Sequence, residues 1–533
     1  MRIIKTPLIF SIAILLTSCK ETASQKHLPP QTRNVFRYPL VTDPLSFDPA
    51  TVQDNDTLDL MQQIYENLVS LTDHTGIRGR LAESWKVFNG GLEYVFILKR
   101  GVRFHHGREL TAEDVKWTFD RATNPKLVSP TAGNYLSDIE GVEERLNGLA
   151  GTVSGVRVID KYTISIKLKK FCPYFLGKLT HPVSAILPRD RISFEAPITS
   201  IEQMVGTGPF RVKGYIPHQL VSLEAFRAYH EGSPKIEKIE RPIIADPFTR
   251  LNKYKSGSLD LVPVDRRALF ALEQNPKWRG QLRFYKRPTL WYLAFNQNVF
   301  KPFRDVQVRK AFALAVDRQR IVQVIFDGVY ELANSIIPWC VPGHRVKADA
   351  LSFDPKEAQR LLREAGYNPQ RDFKNLELLV RADQADAKIM CEAVVTQIRR
   401  NLGIRIKLRT LDAASFYEKR GAGKMAFYCN SWTADYLDPH NFLSLLLTSE
   451  SPENKIGYHS PSFDKLCLQA DSERDPNKRL ALYREAEEIA LDEMPWIPMY
   501  FARDIELIKP RVKGLRPTPF GHLAHSQVSL EDE

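Results

Sequence analysis

The stretch Asn430–Pro439 reads NSWTADYLDP and sets two carboxylates, Asp435 and Asp438, beside Trp432 and Tyr436. Asp435 lies between two large rings able to exclude water. A carboxylate walled by aromatics pairs strongly with a cation, because the local dielectric falls. Asp438 precedes Pro439 and is pushed toward extended geometry, so the segment ends there. Taken alone, the same ten residues also read as a surface turn whose aspartates face water. The rest of the chain decides between the two.

That chain has 533 residues, enough for two or three domains and ample core. It is 43% hydrophobic and 26% charged with a formal net charge of +12, and it contains no low-complexity tract. Such a balance can mean nucleic acid or an acidic membrane surface. Here Lys and Arg are spread along the chain with acids interleaved, which points to a generally basic surface and no nucleic-acid partner.

The N-terminus carries Arg2 and Lys5, then the apolar run Pro7–Leu16, too short to span a bilayer. It ends in Leu16-Thr17-Ser18-Cys19, which resembles the bacterial lipobox, where cleavage before the cysteine leaves a thiol to be acylated. The reading is a signal peptide over 1–18 and a lipidated tether over 19–32, polar and carrying Pro29-Pro30. No other stretch is apolar enough for a transmembrane helix. The expectation is an exported protein, lipid-anchored to a bacterial membrane and facing the periplasm or the cell surface.

Export permits disulfides. Beyond Cys19 stand Cys172, Cys340, Cys391, Cys429 and Cys467, an odd number that leaves at least one free unless chains pair. Cys391 shares the apolar side of a helical pattern with Met390, Val394 and Ile398, where a buried thiol is expected. No C-x-x-C occurs and no His cluster has zinc spacing, so no metal is expected.

The periodicities are those of a mixed α/β protein. Asp56–Ser70 reads as a helix on Leu58, Met61, Tyr65 and Leu68. Glu93–Leu98 and Thr163–Leu168 read as strands. Asp354 caps a helix in which Pro355 takes the first turn, Glu357 completes a capping box and Gly366 stops it. Asp475-Pro476 opens another, closed by Pro495. Gln384–Leu402 is a helix ended by Gly403, followed by a strand on Ile404, Ile406 and Leu408.

Catalytic signatures are missing: no G-x-S-x-G, no H-E-x-x-H and no G-x-x-x-x-G-K. Gly206-Thr207-Gly208 is followed at once by Pro209, which has no N–H to offer a phosphate, and reads as a tight turn. His105-His106 near Glu113 and Asp114 suggests a metal, but His106-Gly107 reads better as a hairpin turn before a helix capped by Thr111 and boxed by Asp114. No catalytic residue and no cofactor is expected, and the chain is read as a non-enzyme.

Five stretches together resemble the extracytoplasmic solute-binding proteins of peptide ABC importers, the family of oligopeptide-, dipeptide- and nickel-binding lipoproteins. They are Leu81–Asp120 (LAESW, then GLEYVFILKRGVRFHHGRELTAEDVKWTFD), Val205–Val262 (VGTGPFRVKGY, SPKIEKI, TRLNKYKSGSLDLV), Tyr292–Ile325 (YLAFN, FRDVQVRKAFALAVDRQRIV), Trp432–Leu447 (WTADYLDPHNFLSLLL) and Pro495–Leu515. They occur in the family's order and cover nearly all of the mature chain. The resemblance implies a two-lobed periplasmic-binding-protein fold of the α/β class with a ligand cleft and an extra domain on the first lobe. The first lobe would comprise 33–77, 195–290 and 500–533, the extra domain 78–194 and the second lobe 291–499. Tyr292–Asn296 and the stretch near Trp496–Phe501 would be the crossing strands of a hinge.

By the same resemblance Asp435 matches the acid that meets a peptide's α-amino group. Ser431 and Thr433 match residues whose backbone pairs with an extended peptide. Trp432 and Tyr436 would help exclude water, and Gln53, Asp54 and Asn55 match the facing segment of the first lobe. Cys429 stands where some oligopeptide binders carry an arginine for the peptide carboxylate. The implied function is the receptor of an ABC importer, a monomer binding an oligopeptide or dipeptide and delivering it to a permease with its ATPase subunits. The alternatives are a non-peptide solute (metal chelate, sugar) on the same scaffold, or a surface chaperone or adhesin.

Overall fold

The computed structural model describes residues 34–73, 76–345 and 351–531. The segments read as signal peptide and tether, with Cys19, lie outside the described residues. No described helix is long and apolar enough to cross a membrane.

Three larger sheets organise the described residues. The first runs in the order Val35–Arg37, Lys238–Pro242, Leu220–Ala225, Phe210–Ile216, with only the first pair parallel. The second is an antiparallel sheet of Ala82–Phe88, Glu93–Leu98, Thr163–Lys167 and Val156–Asp160. The third is built on two long strands, Leu282–Phe295 and Trp496–Ile508. Phe427–Thr433, Glu377–Arg381 and Lys407–Leu411 follow outward from the first of these, and Leu261–Pro263 and Glu331–Leu332 pair with the second. Buried side chains gather into separate cores. One draws on residues 290–501, one on 50–186, and one on 36–65, 185–261 and 508–528. A smaller core at 251–282, 329 and 505–507 lies along the far ends of the two long strands.

The two long strands pair antiparallel along almost their whole length, with register breaks between Lys286 and Leu290 and again at Trp291/Tyr292. Pro288 lies in the first break, where a residue without an N–H cannot serve the ladder. Tyr292–Phe295 and Trp496–Phe501 already belong to the core of residues 290–501. Along these strands the passage from one core to the next falls at Lys286–Leu290 opposite Phe501–Arg503.

Local signals fare well where they rest on neighbouring residues. Glu93–Leu98 and Thr163–Lys167 are strands. Asp354 accepts from the N–H of Lys356 and Glu357 to start the helix Pro355–Glu364, and Gly366 takes φ +76° after it. Glu357 completes no capping box, because its carboxylate is held by Arg360. The helix Ala385–Leu402 ends on Gly403 at φ +71°, and its Cys391 is buried. The strand beyond it begins only at Lys407. Thr111 and Asp114 form the expected capping box, and His106 turns to Asp190 while His105 meets the Gly208 carbonyl. No group of three metal-ligating side chains occurs among the described residues.

The first helix also needs correction. The first helix spans Asn55–Ile64 and does not reach Ser70; Val69–Leu71 is a strand. It stops because the next residues are claimed by tertiary contacts. Asn67 Nδ2 donates to the carbonyls of Leu179 and His181, and Glu66 is drawn into a buried cluster with Arg80, Tyr229 and His230. The bend read at Gly206–Pro209 is present, and its two glycines are also required by close approach. A Cβ on Gly206 would lie 2.0 Å from the Ile64 carbonyl oxygen, and one on Gly208 would lie 2.6 Å from that of Gln63.

The Glu66 cluster gives the fold a pH dependence. Burial raises the Glu66 carboxyl, but Arg80 at 2.6 Å, helped by His230 and Tyr229, outweighs it and holds the pKa at about 2 against 4.5 unfolded. A depressed folded pKa means stability that is present above pH 4.5 and is lost as the pH falls toward 2. The shift corresponds to about 3 kcal/mol at neutral pH. Melting of wild type and Glu66→Gln should therefore differ most above pH 5 and converge near pH 2. Parallel curves across that range would show that the cluster contributes no such term.

Candidate functional site

The signature stretch begins on the strand Phe427–Thr433, which lies between Leu282–Phe295 on one side and Glu377–Arg381 on the other. On the first side the register is complete from Phe427↔Phe295 to Thr433↔Thr289. On the other, Glu377–Arg381 meets only Phe427 and Tyr428. Among the described residues, the far half of the strand therefore has an open edge.

Ala434 N–H donates to the Pro288 carbonyl at 2.8 Å, which fixes the phase of the ladder. Antiparallel pairs alternate between bonded and non-bonded. Asn430 and Trp432 thus spend their backbone groups on Leu282–Phe295, while Ser431 and Thr433 direct theirs to the open edge. The Thr433 and Thr289 hydroxyls meet at 2.8 Å, as side chains of a closely spaced non-bonded pair do.

Beyond Thr433 the chain turns, and Asn441 organises the turn. Its Oδ1 accepts from Trp432 Nε1 at 2.8 Å and from Asp435 N–H at 3.1 Å; its Nδ2 donates to Asp435 Oδ2 at 3.2 Å. Asn441 is fully buried. The other Asp435 oxygen accepts from Tyr135 Oη at 3.0 Å, across 300 residues of sequence. Burial lifts the Asp435 carboxyl above its ordinary pKa, and the bonds from Asn441 and Tyr135 pull it back. Burial and the Asp435 charge together raise the Tyr135 phenol, so it stays protonated and donates. The result is a largely enclosed carboxylate at the end of an open strand edge, its bonds made by neutral groups. It can accept a cation with little rearrangement.

The second carboxylate has a different fate. Asp438 is buried and takes Arg479 end-on, with Nη1 at 2.8 Å and Nη2 at 2.7 Å, and also caps the N–H of His440. It is a structural ion pair. Tyr436, the residue after Asp435, packs on Tyr174. Its ring is buried against Tyr174, and its hydroxyl lies 2.7 Å from His440 Nδ1.

The expected first-lobe residues lie at the start of the helix Asn55–Ile64. Asn55 is its first residue, Asp54 caps it by accepting from Thr57 N–H, and Gln53 is exposed. Asp54 Oδ2 is buried with no hydrogen-bond partner among the described residues. Neither Gln53 nor Asp54 shares a hydrogen bond or ion pair with residues 431–436 among those described. Cys429 is buried beside the thiol of Cys391, and all five described cysteines are free.

Comparison with known proteins fits this geometry. The model for the bacterial extracellular solute-binding proteins, family 5 Middle, matches residues 76–454. The chain belongs to this family. It is 29% identical to Heme-binding protein A of Haemophilus influenzae over 100% of each chain. It is 31% identical to an Escherichia coli protein named "Probable deoxycholate-binding periplasmic protein YgiS" over 90% of each. The Haemophilus influenzae OppA complex with the peptide RPPGFSPFR superposes with a TM-score of 0.76, at 22% identity, over 94% of this chain and 99% of that one. The family 5 fold, α/β and two-lobed, is thus the one the ordered motifs implied.

For a family 5 protein the decisive omissions of the sequence reading are Tyr135, Tyr174, Lys178 and Asn441. Asn441 sits six residues from Asp435 in a stretch rich in turn-formers, and a buried amide bridging Trp432 and Asp435 was within reach of local reasoning. The other three come from residues 130–180, and no periodicity links them to residue 435.

Proposed function

We propose that the protein is the receptor of an ABC importer that takes a peptide by its free amino terminus. The peptide lies as an added strand along Ser431–Thr433, with its α-ammonium on Asp435. The lobes then close and present the solute to a membrane permease. The observation that carries this reading is the largely enclosed Asp435 carboxylate, held only by neutral donors, at the end of an open strand edge. The reaction is binding and release without turnover.

The lobes are assigned as 33–77, 195–290 and 500–533 for the first, 78–194 for the extra domain and 291–499 for the second. The separate cores support the division. The hinge is assigned to the irregular crossing at Lys286–Leu290 and Phe501–Arg503. Gln53, Asp54 and Asn55 are assigned to the facing wall, and the unpartnered Asp54 oxygen supports that role.

Calorimetry with a short peptide and its N-acetylated twin tests the reading. Strong binding of the free amine and weak binding of the acetylated form is expected. Equal affinity for both would mean that Asp435 anchors no amine. One observation favours a second class of solute. Cys429 lies buried beside Cys391 where a carboxylate-binding arginine is absent, and relatives carry the names of haem and deoxycholate binders. Haem and deoxycholate belong in the same titrations, and tight binding of either with no peptide binding selects this reading.

Anchoring is proposed through Cys19. Cys19→Ala should release the protein from membranes or leave the signal peptide uncleaved. Metabolic labelling that finds no lipid on the wild type would remove the anchor from the account.

A further inference from the structure

Among the described residues, the buried core of residues 50–186 takes one member from elsewhere, and it is Tyr436. The ring lies parallel to Tyr174, with centroids 4.8 Å apart and an interplanar angle of 11°. His440 packs on the same Tyr174 ring at 4.3 Å and meets the Tyr436 hydroxyl at 2.7 Å. Lys178 Nζ, paired with Asp138 at 2.5 Å, sits over both tyrosine rings at 5.4 and 5.6 Å. Gly177 completes the fit, since a Cβ there would stand 3.3 Å from Tyr436 Cβ. The contact surfaces therefore match in shape, in ring geometry and in charge.

We infer that Tyr174, Gly177 and Lys178 form a socket on the extra domain that receives Tyr436 when the lobes close. The extra domain thereby becomes a clasp that holds the closed form independently of the solute. The inference rests on the hinged, two-lobed reading above, but not on the identity of the solute. Tyr436 is the residue after Asp435, so the same short turn carries both the solute anchor and the closing plug. A closed form held partly by its own chain needs less from the ligand, whose apparent dissociation constant is the intrinsic one divided by the fraction closed. An aromatic stack with its buried area is large enough to set that fraction.

The placement explains a residue that ligand binding does not. A tyrosine serving only to shield Asp435 has no reason to bury its ring in the core of another domain. Lys178 at the socket also acts on the site directly, because its charge lowers the Asp435 pKa while its ammonium covers the Tyr436 ring.

The test measures closure with no ligand added. Spin labels on Glu144→Cys and Lys478→Cys, both at exposed positions, report the distance between the extra domain and the second lobe by pulsed electron resonance. The ligand-free protein should show a closed population. Tyr436→Ala should lower the closed-to-open ratio roughly tenfold, and Tyr436→Phe, which keeps the stack, should lower it far less. Gly177→Val removes no contact-making side chain but fills the socket, and should open the protein as much as Tyr436→Ala. Melting curves establish that each variant is folded, and Gly177→Val decides the matter if Tyr436→Ala is not. A ligand-free wild type that is wholly open overturns the inference. So do unchanged distance distributions in a folded Gly177→Val. Either outcome leaves the peptide reading standing, since that is judged by the acetylated twin.

Discussion

Asp435→Asn is expected to lose about 2–5 kcal/mol of affinity for a free-amine peptide, roughly thirty- to several-thousand-fold. The geometry shows why the fold should survive. Asn441 cannot turn its amide over, because its oxygen already accepts from Trp432 Nε1 and the Asp435 N–H. An asparagine at 435 can keep its oxygen on Asn441 Nδ2 and offer its nitrogen to the Tyr135 hydroxyl oxygen, so both bonds persist. Only the charge goes. Inside a closed cleft the ammonium would then lie desolvated against a dipole instead of an anion. Titrating a peptide and its acetylated twin into both proteins separates the effects. The wild type should discriminate strongly against acetylation and the variant hardly at all. A variant that retains the discrimination would place the amine elsewhere.

The expected pH dependence follows from the same burial. The Asp435 carboxyl is raised above the ordinary value, so its charge, and with it the affinity for an amine, is lost on acidification earlier than for an exposed aspartate.

Asp438→Ala, three residues further on, should instead destabilise the protein by about 3–5 kcal/mol. Arg479 is buried, and Asp438 meets it with two bonds. Removing the acid leaves the guanidinium with the Ala470 carbonyl at 3.1 Å and the Tyr483 hydroxyl at 3.4 Å, neither carrying charge. The turn also loses the cap on His440 N–H. Replacing both partners, as Asp438→Leu with Arg479→Met, should cost much less than the single change, because no charge is then stranded. Urea unfolding of the three variants measures the difference. A single variant as stable as the wild type would make the pair energetically idle. The two aspartates thus separate cleanly: one variant binds poorly and folds, the other folds poorly.

That separation could not be read from NSWTADYLDP. The stretch announced two acids among aromatics, and its order within the family motifs identified the fold. Helix starts at Asp354, Thr111 and Asp475 were legible because a capping side chain bonds to backbone two or three residues away. Strands such as Glu93–Leu98 were legible because alternation is a local pattern. The phase of the signature strand was accessible in part, since period two makes Ser431 and Thr433 equivalent. Which edge they face depends on Pro288 across the ladder.

Only the tertiary structure decided the rest. Asp438 is structural because Arg479, 41 residues later, arrives beside it on another helix. Asp435 is enclosed because Tyr135, 300 residues earlier, reaches it from the core of residues 50–186. Tyr436 is a plug because a glycine at 177 leaves room for it. The first helix ends early because Glu66 and Asn67 find partners outside the helix that are worth more than another turn. A sequence determines a residue's chemistry and its bonds to near neighbours. Whether a carboxylate meets solvent, solute or a buried arginine is settled by which surfaces dock, and docking is a property of whole faces that no ten-residue window contains.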